Sequence, residues 1–263
     1  MLRPDIRLFC TDLDGTLLGD PAATARFSAA WASLDPRGRP LLVYNTARTV
    51  ADTQARVAAR DLPEPDFIIG SVGTELHDSL YNAAAEFHAQ FNDGWDLVRV
   101  DAIVSAIPGV KRRAAEGLHR YKLSWTWSRA RREQVEQLKL QLADAGLKTT
   151  VLYSCLHFLD IVPARADKGK ALRWLTQRLG VGLHHVLVAG DSSNDSSMFL
   201  LPGVKGIAVA NALPELFADL TDTRVFVAQE AMADGVLEGL RHFGVAPAAA
   251  VRSGARSQSS HAA

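Results

Sequence analysis

A repeated alternation of short apolar runs with amphipathic segments is the strongest constraint on the fold of this chain. The first block predicts three strands separated by two helices, with the strands at 8–10, 41–44 and 67–69. After about residue 165 the alternation returns as a helix, three strands and a last helix, predicted over 168–179, 186–189, 207–209, 225–227 and 233–243. Strands that alternate with helices are typical of parallel sheets covered on both faces. The sequence therefore predicts the α/β class, with a doubly wound, Rossmann-like parallel sheet.

The residues between these blocks have a different pattern. From Tyr121 to Trp127 apolar and polar side chains alternate, which predicts a half-buried strand. A helix follows, with Ser128 as a candidate N-cap, and then a strand pair at 150–153 and 157–161. We therefore divide the chain into three parts. The main domain comprises residues 1–80 and 161–246, the inserted α+β domain comprises residues 81–160, and the tail comprises residues 247–263. The tail has few core-forming residues and is expected to be disordered.

Composition excludes several classes of protein. Of the 263 residues, 48% are hydrophobic and 22% charged, which is ordinary for a globular chain. Basic and acidic residues both number 29, so neither a nucleic acid nor a membrane surface is an expected partner. No apolar run approaches the length of a membrane span, and no secretory leader is recognisable, so we expect a cytoplasmic protein. Cys10 and Cys155 form neither a disulfide framework nor a metal-ligand spacing.

Polar residues follow the first two predicted strands. Asp12 and Asp14 come directly after the first strand, just before Gly15. Ligands of doubly wound sheets bind beyond the carboxyl ends of the strands, so we expect Asp12 at the mouth of the sheet. Thr46 follows the second strand, where a hydroxyl and backbone N–H groups can bind a phosphate oxygen. Each feature alone has a simpler explanation, because Asp and Gly are common in turns and Thr46 or Thr49 can serve only as an N-cap.

Two further polar clusters lie in the second block. Lys168 opens a helix, where it could neutralise a phosphoryl group, although Asp167 alone would explain a capped helix start. Asp191 and Asp195 follow the next strand and offer the hard oxygen ligands that Mg²⁺ requires, although Asp195 could serve only to orient its neighbours. Because the strand ends converge, the clusters together supply carboxylates, a hydroxyl and a lysine. That set suits a Mg²⁺-held phosphoryl group and a carboxylate nucleophile.

In their order along the chain, these clusters resemble the four motifs of the haloacid dehalogenase superfamily of phosphatases. The matching segments are DLDGT (12–16), NTAR (45–48), DKGKAL (167–172) and GDSSND (190–195). The inserted domain resembles the C2-type cap of that superfamily. The segments PDFIIGSVGTE (65–75), YKLSW (121–125) and LDIVP (159–163) resemble the sucrose-phosphate phosphatase branch. Its relatives include mannosylfructose-phosphate and mannosyl-3-phosphoglycerate phosphatases.

The resemblance implies catalytic roles for four residues. Asp12 is expected to be the nucleophile that forms an aspartyl-phosphate. Asp14 is expected to protonate the leaving sugar oxygen and then to activate water as a base. Thr46 is expected to bind the transferred phosphoryl group, and Lys168 to neutralise charge on it and on Asp12.

The resemblance also implies a Mg²⁺ cofactor. The expected ligands are the Asp12 carboxylate, the Asp14 backbone carbonyl and Asp191. Asp195 is expected to support this set, or to reach the metal through water, and Asn194 to lie in the surrounding shell.

The expected substrate contacts come from both domains. They are Thr46, Ala47, Arg48, Glu75, Lys122 and Ser124, with His157 as a further candidate. These polar side chains would be equally well explained if they lay on a solvated sheet face, or, for Lys122, if the side chain formed a salt bridge. Ala47 and Ser193 stand where the superfamily often has glycine. Neither departure removes a functional group, although a positive φ at Ala47 would be costly.

The predicted function is therefore a Mg²⁺-dependent phosphatase acting on a phosphorylated disaccharide, with sucrose 6-phosphate as the first candidate. The alternatives are a mannosylfructose-phosphate or other glycosyl-phosphate phosphatase, a promiscuous hexose-phosphate phosphatase, and a non-catalytic sugar-phosphate-binding partner of a glycosyltransferase. The expected partner is a small sugar phosphate, with association with a sugar-phosphate synthase as a further expectation. We expect a monomer.

Overall fold

The computed structural model describes residues 6–78, 83–113, 120–218, 220 and 224–246, and the predicted tail lies outside these ranges. Its strands are β1 Leu8–Thr11, β2 Leu41–Asn45, β3 Phe67–Gly70, β4 Glu75–Asp78, β5 Val110–Arg112, β6 Leu123–Trp127, β7 Thr149–Ser154, β8 Phe158–Pro163, β9 Val186–Gly190, β10 Lys205–Ala208 and β11 Arg224–Val227. Its helices are α1 Pro21–Ala32, α2 Val50–Ala58, α3 Ala84–Ala89, α4 Leu97–Ser105, α5 Arg132–Asp144, α6 Lys168–Leu179, α7 Ser196–Phe199, α8 Pro214–Phe217 and α9 Met232–His242. Among these residues no helix is long and apolar enough to cross a bilayer.

The main domain is built on a seven-stranded sheet in the order β11-β10-β9-β1-β2-β3-β4. All neighbouring strands are parallel except β3 and β4, which are antiparallel. The predicted doubly wound sheet is therefore confirmed. Thr11, the last residue of β1, pairs with Tyr44 of β2 and Ala189 of β9. The polar residues that follow these three strands consequently emerge side by side.

Helices cover both faces of this sheet. On one face, Phe27 and Trp31 of α1 and Val236 of α9 pack against strand residues such as Phe9. On the other face, α6 packs against β1 and β2. Helix α6 forms where the sequence predicts it, because the Asp167 side chain caps the Lys170 N–H and Gly180 ends the helix at φ 65°.

The inserted domain has a four-stranded antiparallel sheet in the order β5-β6-β8-β7, with α4 and α5 packed on one side. Trp125 and Trp127 are buried in this cluster, which confirms the half-buried strand that the alternation from Tyr121 to Trp127 predicts. Helix α3 packs instead on the main domain, where Phe87 meets Trp174 edge to face at 5.0 Å.

One local prediction in the inserted domain is wrong. Helix α5 begins at Arg132 with Arg131 as its N-cap, not at Ser128. Arg129 adopts a left-handed φ of 51°, so the chain turns between β6 and the helix. Ser128 Oγ lies 3.1 Å from His157 Nδ1 on the neighbouring hairpin.

Candidate active site

A buried lysine links two carboxylates where β1, β9 and α6 meet. Lys168 Nζ lies 2.7 Å from Asp12 Oδ1 and 2.7 Å from Asp195 Oδ1. Lys168 and Asp195 have no exposed surface, and Asp12 is 4% exposed. Burial alone would lower the pKa of Lys168, but the two carboxylates raise it above its ordinary value. The lysine therefore stays charged and holds Asp12 in place.

The backbone around Lys168 is fixed by Asn45, the last residue of β2. Its Nδ2 donates to the Lys168 carbonyl over 2.9 Å, and the Asn45 side chain is fully buried. This hydrogen bond joins the β2 edge of the site to the start of α6. Asn45 opens the NTAR segment (45–48), but the sequence predicts no role for it, because its partner in α6 is far away along the chain.

The two aspartates after β9 have different surroundings. Asp195 Oδ2 accepts from the backbone N–H groups of Asp191 and Ser192, over 3.0 and 3.1 Å. Since its Oδ1 is bonded to Lys168, Asp195 orients the loop with both oxygens. Asp191 Oδ1 accepts from the Thr16 hydroxyl over 3.0 Å. Burial, and then the Asp195 charge, raises the pKa of Asp191 to about 6.

The carboxylates of Asp12, Asp191 and Asp195 form a cluster that fits a divalent cation. One oxygen from each lies within 4.8 Å of the others. Burial raises the pKa of Asp12 well above its ordinary range, although Lys168 opposes the rise. The cluster sets three carboxylates against the ammonium of Lys168, so the pocket has an excess of negative charge. Oxygen donors with that excess suit Mg²⁺, and Asp12 and Asp191 have the oxygens to hold it.

Gly15 lets the chain approach this cluster. Its φ is +81°, and a Cβ there would lie 2.5 Å from Asp191 Oδ2. Asn211 fixes the same turn, since its Nδ2 donates to the Gly15 carbonyl over 2.8 Å while its Oδ1 accepts from Met232 N. Asn211 thus ties the turn after β1 to the start of α9. The sequence does not predict a role for Asn211, because this residue lies outside the four motifs.

Asp14 does not join the carboxylate cluster. Both of its oxygens accept from Arg48, from Nε over 2.7 Å and from Nη2 over 2.6 Å, and about half of its side chain is exposed. Arg48 also donates to Asp52 over 2.5 Å. These hydrogen bonds, that to Asp14 first, raise the pKa of Arg48 further above its usual range. The carboxylate of Asp14 therefore pairs with Arg48, whereas that of Asp12 pairs with Lys168.

Thr46 and Ala47 directly follow β2. Thr46 is fully buried, and its Oγ1 accepts from the Arg48 N–H over 3.1 Å. The hydroxyl proton is therefore available to donate to a bound oxygen. Ala47 is not among the described residues with positive φ, so replacing glycine there creates no backbone strain.

The cap reaches this loop through Lys122. Its Nζ donates to the Ala47 carbonyl over 3.0 Å and lies 3.4 Å from Asp160 Oδ2. Asp160 Oδ1 accepts from Ser124 Oγ over 2.6 Å. One carboxylate thus holds both predicted cap residues. Asp160 is absent from the predicted site, although its pairing opposite Ser124 in the β6–β8 ladder gives it this position.

The other predicted substrate contacts have partners of their own. Glu75 Oε2 accepts from the Val50 N–H at the start of α2, over 2.7 Å. His157 contacts Ser128. Asn194, which is expected in the shell around the metal, accepts at Oδ1 from Ser192 Oγ over 3.3 Å.

A second contact joins cap and core at the tip of the β7–β8 hairpin. Ser193 Oγ donates to the Tyr153 carbonyl over 3.2 Å. Cys155 N donates to Glu215 Oε1 over 2.9 Å. The serine that departs from the superfamily pattern therefore bonds to the cap backbone.

Residues 6–244 match the family described as Sucrose-6F-phosphate phosphohydrolase. The chain belongs to this family. Its membership confirms the predicted superfamily and the class of phosphoric monoester hydrolase. Several solved structures of haloacid dehalogenase-like hydrolases share its fold.

The relatives include phosphatases that are named for two different sugar phosphates. The chain is 39% identical to the mannosylfructose-phosphate phosphatase of Agrobacterium fabrum (strain C58), over 92% of this chain and 98% of the relative. It is 31% identical to sucrose-phosphatase 1 of Nicotiana tabacum, over 91% of this chain and 60% of that longer protein. The sucrose-phosphatase of Synechocystis sp. PCC6803, solved with sucrose and phosphate, superposes with a TM-score of 0.82 at 28% identity. That match covers 91% of this chain and 98% of the solved one.

Proposed function

We propose that this family member is a Mg²⁺-dependent phosphatase of a fructose-containing disaccharide phosphate. The observation that carries the proposal is the buried Asp12–Lys168 pair beside Asp191, with the cap residue Lys122 bonded to the adjoining loop. Two substrates compete. Family membership supports sucrose 6-phosphate, whereas 39% identity across nearly the whole A. fabrum enzyme supports mannosylfructose phosphate.

In the proposed first step, an Asp12 carboxylate oxygen attacks phosphorus while the bond from phosphorus to the sugar oxygen breaks. The sugar oxygen takes a proton from Asp14, so the products are the disaccharide and an aspartyl-phosphate. Lys168 offsets the repulsion between the Asp12 carboxylate and the phosphoryl dianion. The Thr46 hydroxyl donates to a phosphoryl oxygen. Mg²⁺, when held by Asp12 and Asp191, would supply further neutralisation of the phosphoryl charge.

In the second step, Asp14 takes a proton from water and the water oxygen attacks phosphorus, while the bond from phosphorus to the Asp12 oxygen breaks; inorganic phosphate leaves and the Asp12 carboxylate is regenerated. For both steps the Asp14 carboxyl must leave Arg48 and turn toward the phosphorus. The Arg48–Asp14 pair is therefore a resting arrangement that substrate binding has to open.

The cap contributes specificity in this proposal. Asp160 holds Lys122 and Ser124 in fixed positions, and Lys122 lies against the loop that carries Thr46. A sugar bound between the domains would meet these side chains while its phosphate lies at Thr46. Closure of the cap would also exclude bulk water from the aspartyl-phosphate.

Phosphate release from sucrose 6-phosphate, mannosylfructose phosphate, glucose 6-phosphate and fructose 6-phosphate, with Mg²⁺ and with chelator, tests the proposal. We expect a strong, Mg²⁺-dependent preference for one disaccharide. Similar poor rates on all four would favour the promiscuous phosphatase. Absence of turnover, with binding retained, would favour the non-catalytic partner.

The monomeric state and the association with a sugar-phosphate synthase stay predictions. Size-exclusion chromatography with light scattering, alone and with the synthase, measures both.

A further inference from the structure

A cavity of about 620 Å³ lies between α1 and α2, outside the catalytic cluster. Asp14 and Arg48 form its rim, so it adjoins the active site, but Asp12, Thr46 and Lys168 do not line it. Its far end is lined by Ser28, Arg56 and other residues of the two helices and of the segment that follows α2. The proposed reaction gives this space no role.

Two buried polar atoms of the lining residues lack partners. Ser28 Oγ on α1 and Arg56 Nε on α2 have no hydrogen bond within the part of the chain that the structure describes. Buried polar atoms nearly always have a partner, from protein, water or ligand. Both belong to residues that line this one cavity, Ser28 on α1 and Arg56 on α2, so reorientation of these side chains around a bound group could give each atom a partner.

The charged lining residues favour an anion, because Arg48, Arg56 and Arg60 outnumber the carboxylates of Asp14 and Asp61. Arg48 is engaged by Asp14 and Asp52 at hydrogen-bond distance. The ion pair of Arg56 is looser, because its Nη1 lies 3.7 Å from Asp61 Oδ2. Its guanidinium therefore keeps donors for an anion, and its planar geometry matches a carboxylate or a phosphate.

The other lining residues indicate the chemistry of the uncharged part of the ligand. Leu18, Pro21 and Ala25 offer apolar surface, while Ser28 and Asp61 can accept hydrogen bonds from hydroxyl groups. We propose that this cavity binds a small hydroxylated organic anion, a sugar acid or a sugar phosphate, through Arg56 and Ser28. The binding does not depend on the proposed reaction, although the shared Arg48–Asp14 rim connects the two sites.

Calorimetric titration of the Mg²⁺-loaded protein tests this assignment. Gluconate is the probe for a carboxylate with hydroxyls, and sulfate is the probe for a phosphate-like anion. We expect at least one to bind with a millimolar Kd that Arg56→Gln weakens about tenfold or more. Ser28→Ala should weaken it several-fold. Binding of gluconate but not of sulfate would assign the site to sugar acids, and binding of sulfate but not of gluconate would assign it to sugar phosphates.

Two controls separate the cavity from other sites. Thr46→Ala removes a hydroxyl of the catalytic pocket, and Arg178→Gln removes an exposed arginine that pairs with Glu86 elsewhere. Neither should alter cavity binding. Arg56→Lys, which keeps the charge but lacks Nε, replaces Arg56→Gln if circular dichroism shows that the latter is unfolded. Equal binding to wild type and the Arg56 variant, loss of binding in Thr46→Ala, or no binding of either probe would overturn the assignment.

Discussion

Replacing Lys168 by methionine isolates the contribution of the buried cation. The substitution keeps most of the side-chain volume but leaves Asp12 and Asp195 without the ammonium that lies 2.7 Å from each. Removing one partner of a buried ion pair costs about 3–5 kcal/mol, because the remaining charge is uncompensated. We expect a loss of that size in the free energy of unfolding, with phosphatase activity abolished.

Urea denaturation at neutral pH in chelator measures this loss. Lys170→Met is the matched control, since Lys170 pairs with Asp167 over 2.9 Å but is about half exposed. Its loss should stay below about 1 kcal/mol. Adding Asp12→Asn to Lys168→Met should recover part of the stability by removing one stranded charge. A Lys168→Met loss no larger than that of Lys170→Met would refute the reasoning.

Three further predictions follow from the site. Asp14→Asn should slow hydrolysis of a sugar phosphate by about 10²–10⁴-fold and that of an activated aryl phosphate far less, because only the leaving sugar oxygen needs a proton. Equal losses in the two steady-state rates would argue against the acid role of Asp14. Asn45→Ala should lower both the unfolding free energy, by about 1–3 kcal/mol, and kcat, because the Lys168 carbonyl loses a buried donor; unchanged values in denaturation and rate assays would contradict this. In chelator, the contribution of Asp191 to stability should fall as pH rises from about 4 through 6, because the folded state binds the Asp191 proton more tightly than the unfolded state does. Asp191→Asn should flatten that part of the denaturation-versus-pH curve, and an unchanged slope would show that another group titrates.

The sequence predicts those parts of the fold whose signals are local. Helix α6 has its cap at Asp167 and its stop at Gly180, so its bounds follow from neighbouring residues alone. The reversal that creates antiparallel β4 could not be predicted in this way. Ser71, Val72 and Gly73 all have positive φ, which a valine resists. Hydrogen bonds from the Ser71 and Val72 N–H groups to the loop after β2 hold this turn, and those contacts are long-range.

The same distinction applies to the site. The motifs place Asp12 and Asp191 together because strand ends converge in any parallel sheet, and Lys168 joins them from the start of α6. The orientation of the Asp14 side chain toward Arg48 depends on the distance between two loops. The motifs therefore do not predict it. The carboxylate of Asp160 becomes informative only once β8 is known to lie beside β6.

The central claim is that Asp12 is the nucleophile, and trapping the intermediate tests it most directly. Borohydride added during turnover reduces an aspartyl-phosphate to homoserine, which peptide mass spectrometry locates. The account predicts homoserine at position 12, only when Mg²⁺ and a disaccharide phosphate are both present. Homoserine at Asp14, or rapid phosphate release with no homoserine at any position, would contradict it.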